Sequence, residues 1–197
     1  MRRPWTSGPL LTSGLFLSAA EFPIPDWRTA SPESQGLDSA VLAEALDYVR
    51  AKQIPLHSLL LVRNGVLVLE AYFWPYQGRE VHDVASVTKS FTSTAAGIAA
   101  DKGRLRGVDE KVLRFFRFVS SDVRKDRLTV RHLLTMTSGL DCNSNDGEKA
   151  LAAMRASPDW TAFTIRLPMV AEPGAQSAYC SCNNHLLSGV VSAANWG

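Results

Sequence analysis

Apolar and polar positions change period along the chain, and each change marks an element. Residues 57–63 (HSLLLVR) and 66–73 (VLVLEAYF) are apolar, β-branched and aromatic runs on either side of Asn64-Gly65. That dipeptide readily takes the left-handed conformations of a two-residue turn, so the pattern predicts an antiparallel hairpin. Ahead of it, Asp38 is a good N-cap. Leu37, Val41, Ala45 and Val49 recur every four residues, predicting a helix that packs through them. After the hairpin, residues 86–102 (SVTKSFTSTAAGIAADK) stay small and apolar until Gly103, predicting a helix covered by neighbours on several sides.

The remainder reads as helices and loops. A short helix is expected over Asp109–Phe116, and another in TVRHLLTMTSG, with Thr129 as N-cap and Gly139 as its stop. A polar loop (DCNSNDGE, 141–148) and further helical pieces lead to Pro173-Gly174, and a last helix starts near Asn183. Residues 21–36, rich in Pro, Ser and Gly, form an extended lead-in. There is no internal repeat and no linker between independent domains. A lone hairpin is marginal in water and needs more strands or a covering helix. The expectation is that the missing strands lie beyond Gly197.

A hydrophobic fraction of 46% with 20% charged residues describes a globular protein. The net charge of +2 with scattered Lys and Arg gives no nucleic-acid footprint, and no stretch is long enough to span a bilayer. Residues 1–30 are a leader or signal segment. Arg2 and Arg3 precede an apolar stretch, but Pro4, Gly8, Pro9 and Gly14 interrupt it, so export and a cytoplasmic location fit equally. Cys142, Cys180 and Cys182 make no disulfide framework, and a Cys180–Cys182 bridge would be strained. Without a paired CxxC, the Cys180, Cys182 and His185 cluster reads as small buried thiols and not as a metal site. Loop 141–148 lacks the Gly and bidentate Glu of a calcium loop, with Asp146 and Ala152 in their places.

Ser86-Val87-Thr88-Lys89 places an ammonium one helical turn from a hydroxyl. A serine needs a base before it is nucleophilic at neutral pH, and a partly desolvated lysine can be one. With 19 serines and six lysines, the spacing arises by chance roughly 0.6 times, so the pair alone is close to noise. Its setting raises its weight. The motif opens an apolar helix straight after a hairpin, and Lys89 is the only charge before Asp101. Tyr179 follows a Pro-Gly turn and precedes a helix, where a phenol near a lysine can relay protons; by itself it reads more readily as a packed aromatic. His185 reads as packing.

Together SPESQGLD, HSLLLVRNGVLVLEAYF, HDVASVTKSFTSTAAGIAADKG, LTVRHLLTMTSGL and EPGAQSAYCSCNNHLLSGVV resemble the β-lactamase-related serine hydrolases, in order and spacing, over residues 31 to about 192. That family takes in class C β-lactamases, DD-peptidases, esterases and 6-aminohexanoate-dimer hydrolases. The resemblance implies an α/β sandwich, with an antiparallel sheet flanked by helices and a mostly helical region, residues 31–197 forming its N-terminal part. It implies Ser86 as the acylated nucleophile, Lys89 as its partner and Tyr179 as general base and acid, with no cofactor or metal. Ser181 stands where many members have Asn, and the surrounding sequence looks like the amide-hydrolase and esterase branch. The implied substrate is a small carboxylic ester or linear amide; a β-lactamase or DD-peptidase and an inactive relic are the alternatives. Family members continue into a third motif absent here, so the chain alone is expected to be inactive.

Overall fold

In the computed structural model, which describes Pro23 and residues 25–196, the contacts divide the chain into two units, one ending at His82 and the other starting at Asp83. Most of the expected leader lies outside the described residues.

In the first unit, Asn64 and Gly65 both turn left-handed, with φ of 51° and 76°, which matches the turn to the twist of the strands it joins. Strands β1 (Ser58–Arg63) and β2 (Val66–Tyr72) pair antiparallel with Leu61 opposite Leu69, and the register shifts by one between Leu61 and Val62. The lead-in adds to this sheet. Leu67 N donates to the Arg28 carbonyl at 2.8 Å, and Ala30 N to the Leu67 carbonyl at 3.1 Å, so the extended segment pairs along β2. Helix α1 (Ser39–Ala51) starts where expected, with the Asp38 carboxylate accepting the Ala40 amide at 2.8 Å. Its covered side chains are Leu42, Leu46 and Val49, while Val41 and Ala45 face solvent. A strict spacing of four drifts around a helix of 3.6 residues per turn, whereas steps of four then three hold one face.

The second unit is built around α6 (Ser181–Trp196), where Leu186, Leu187 and Val190 are almost wholly buried. Four helices surround it: α2 (Thr88–Asp101), α3 (Val130–Leu134), α4 (Lys149–Ala156) and α5 (Trp160–Arg166). A Cβ on Gly189 would meet the Thr161 side chain at 3.0 Å, so the missing side chain lets α5 approach closely. Three expectations need correction. Helix α3 ends at Leu134, before Gly139, because Met136 turns left-handed at φ 58°. Helix α6 starts two residues earlier than expected, at Ser181. Helix α2 is not enclosed: among its described residues Ala96 and Ala99 are buried, and Phe91 is 67% exposed. Small residues let one face pack tightly without requiring cover on the others.

Candidate active site

Asp83 sets the backbone from which the site is built. Its carboxylate accepts the Ala85 amide at 2.7 Å, and Ala85 is held left-handed at φ 44°, a conformation that costs an alanine energy and gathers at functional sites. The chain then tightens into a 3₁₀ turn over Ala85–Val87 that runs straight into α2. Ser86 lies on that turn, exposed, two residues ahead of the first residue of α2. Lys89 sits one turn further on and is half-buried.

The two motifs meet at the lysine. Lys89 Nζ donates to Ser86 Oγ at 3.1 Å and to Ser181 Oγ at 3.3 Å. It also stands 4.9 Å from the centre of the Tyr179 ring. Hydrogen bonding with Ser86 and then with Lys89 draws the Tyr179 phenol below its ordinary value of 10.0, because donors to the phenolic oxygen and a neighbouring cation both favour the phenolate. Helix α6 is held against α2 by Asn184, whose side-chain amide donates to Thr92 Oγ1 at 3.3 Å. All four residues predicted from the sequence are thus in one place: a hydroxyl, an ammonium, a phenol and a second hydroxyl.

Ser86, Lys89 and Ser181 line a cleft of about 430 Å³. Leu151, Met154 and Trp160 supply apolar wall, and Asp83, Glu148, Arg155 and His185 supply polar groups. Sequence reading missed Glu148, which sits left-handed at φ 54° ahead of α4 and lies 3.5 Å from Ser181 Oγ. No spacing pointed to it, because it reaches the site through a loop fold. His185 packs edge-on against Trp160 at 5.2 Å, and burial lowers its pKa, so it is a packing residue that also lines the wall.

The cysteines require a correction. Cys142 and Cys180 form a disulfide with Cα atoms 5.3 Å apart, and Cys182 is a free buried thiol. The reading of three buried thiols overlooked that a chain turning back over 38 residues brings the first two together. Among the described residues no three metal-ligating side chains converge, and no helix is long and apolar enough to cross a membrane.

A family model described as Beta-lactamase matches residues 40–197. Several solved structures are similar, three of them as follows. A protein from Bacillus anthracis assigned as a 6-aminohexanoate-dimer hydrolase aligns at TM-score 0.60 and 20% identity, over 79% of this chain and 43% of its own. The octameric penicillin-binding protein homologue from Pyrococcus abyssi aligns at TM-score 0.60 and 20% identity, over 80% and 39%. A protein from Bacteroides dorei assigned as a β-lactamase aligns at TM-score 0.63 and 21% identity, over 80% and 46%. At these identities the likeness is one of fold, and this chain spans less than half the length of each. No curated protein sequence matches it.

Proposed function

The chain belongs to the β-lactamase family, and from that ground we propose that it is a serine hydrolase acting on a small carboxylic ester or linear amide through an acyl-enzyme on Ser86. The observation that carries the reading is the placement of Lys89 Nζ, within hydrogen-bond reach of both Ser86 and Ser181 and beside the Tyr179 ring. As phenolate, Tyr179 takes the Ser86 proton while Oγ bonds to the substrate carbonyl carbon. Tyr179 then returns that proton to the departing alcohol or amine as its bond to the carbonyl breaks. Water reverses the sequence: Tyr179 takes its proton, the acid is released, and Ser86 regains its hydrogen. Lys89 holds the phenolate charge and both hydroxyls throughout. At the N-terminal end of α2, the helix dipole favours the negative charge that develops on the carbonyl oxygen.

Ser181 supports the ester or amide preference, since a hydroxyl replaces the side-chain amide that contacts the acylamide of β-lactams in related enzymes. The test has two parts. A fluorophosphonate probe should label Ser86 and no other serine, with Ser86→Ala unlabelled; an adduct found elsewhere by mass spectrometry overturns the assignment. A full-length hydrolase carrying this segment should show a higher specificity constant for a p-nitrophenyl ester than for a cephalosporin. The reverse order would exclude the substrate class.

A further inference from the structure

Residues 178–181, which carry Tyr179 and Ser181, are tied one after another to the segment 136–148. Ala178 N donates to the Met136 carbonyl at 2.9 Å, and Ser144 N donates to the Tyr179 carbonyl at 2.7 Å. Cys180 is bonded to Cys142, and Ser181 Oγ reaches Glu148 at 3.5 Å. Four consecutive residues therefore have partners on one clamp, and the only covalent tie lies next to the phenol. Both cysteines are buried, at 5% and 1% exposure, so the link is sheltered from solvent thiols. Cys180 Sγ also accepts the Asn183 amide at 3.3 Å, joining the clamp to the first turn of α6.

Hydrogen bonds alone would leave this stretch a surface loop able to shift. An ångström of misplacement at a proton-transferring group can cost about a hundredfold in rate. We propose that the Cys142–Cys180 disulfide is a positioning device for catalysis, holding Tyr179 against Ser86 and Lys89. The proposal rests on the reading of Ser86, Lys89 and Tyr179 given above. Neither sulfur touches the reacting atoms, and the bridge acts through the tyrosine. The charged groups facing Tyr179 are Lys89 from α2, which favours its phenolate, and Glu148 from the clamp, which opposes it.

The experiment compares the oxidised 197-residue protein with Cys142→Ala and, as control, Cys182→Ala. Peptide mapping without reductant should recover the Cys142–Cys180 pair; finding both as free thiols overturns the proposal. Tyr179 ionisation is followed by phenolate absorbance, as the difference between each protein and its Tyr179→Phe counterpart. Release of the bridge should move that ionisation up towards the ordinary tyrosine value and slow fluorophosphonate labelling of Ser86 by about tenfold, with the Cys182 control unchanged. A folded Cys142→Ala protein with the parent's tyrosine titration shows the bridge to be structural only, and ends the idea. Should Cys142→Ala not fold, protein refolded in reductant gives the same two readouts. Absence of labelling in the oxidised parent condemns the reading of Ser86, while the titration still decides the role of the bridge.

Discussion

Ser86 depends on its neighbours, because a hydroxyl at neutral pH keeps its proton unless a base stands within hydrogen-bond reach. Lys89 reaches Ser86 at 3.1 Å and Ser181 at 3.3 Å, and with Ser86 it lowers the Tyr179 pKa. The sign of the pH dependence follows. On the proposed mechanism Tyr179 takes the Ser86 proton as phenolate, so acylation should rise with pH through its lowered pKa. Lys89→Ala removes a cation that favours the phenolate, so the rise should move to higher pH, with labelling of Ser86 slowed by about 10²–10⁴-fold at neutral pH. Labelling rates across pH for both proteins check this; an unmoved profile would mean that Tyr179 is not the base. Ser86, Lys89, Tyr179 and Ser181 were legible in the sequence because each lies in a short motif whose spacing and flanking elements limit where it can go. Glu148 was not. Its approach to Ser181 depends on a left-handed residue outside glycine, and no local pattern announces that.

Elements were legible where their signals are local. Asn64-Gly65 fixes the hairpin turn and Asp38 the start of α1, since each acts within a few residues. Pairing over distance was less so. Cys142 and Cys180 meet only because α4, α5 and the turn at Pro173-Gly174 bring the chain back, and the lead-in pairs with β2 through backbone groups of no special composition. Helix α2 shows the same boundary: small apolar residues mark a tight contact but not how many contacts there are. Leu186 on α6 is fully buried, whereas Phe91 on α2 is 67% exposed. Leu186→Ala should destabilise the chain by about 2–5 kcal/mol, through lost apolar burial and the cavity left behind. Phe91→Ala should stay within about 0.5 kcal/mol, as for other surface changes. Denaturant unfolding of the two variants tests the assignment, and comparable losses would show that α2 is covered on its Phe91 face.

At the scale of the whole molecule, the two units share one property: each leaves apolar surface open among the described residues. In the first, β1 pairs with β2 along one edge, and Leu60 and Val62 are 46% and 41% exposed. In the second, Phe91 and Ile98 lie one above the other on α2, a spacing of seven that keeps them on the same face. An unpaired strand edge with apolar side chains is a template for another chain, and a contiguous apolar stripe favours association. The net charge of +2 gives little repulsion between copies. The 197-residue chain should therefore self-associate at micromolar concentration, eluting from size-exclusion chromatography as broad or heavy species. A lysine on a strand edge desolvates badly in a new pairing and discourages it. Val62→Lys together with Phe91→Lys should then shift the elution towards a single monomeric peak. Leu186 and its buried neighbours are untouched by these changes, so the melting temperature should hold. A parent chain that is monodisperse, melts cooperatively and is indifferent to both lysines would show that these surfaces do not drive association.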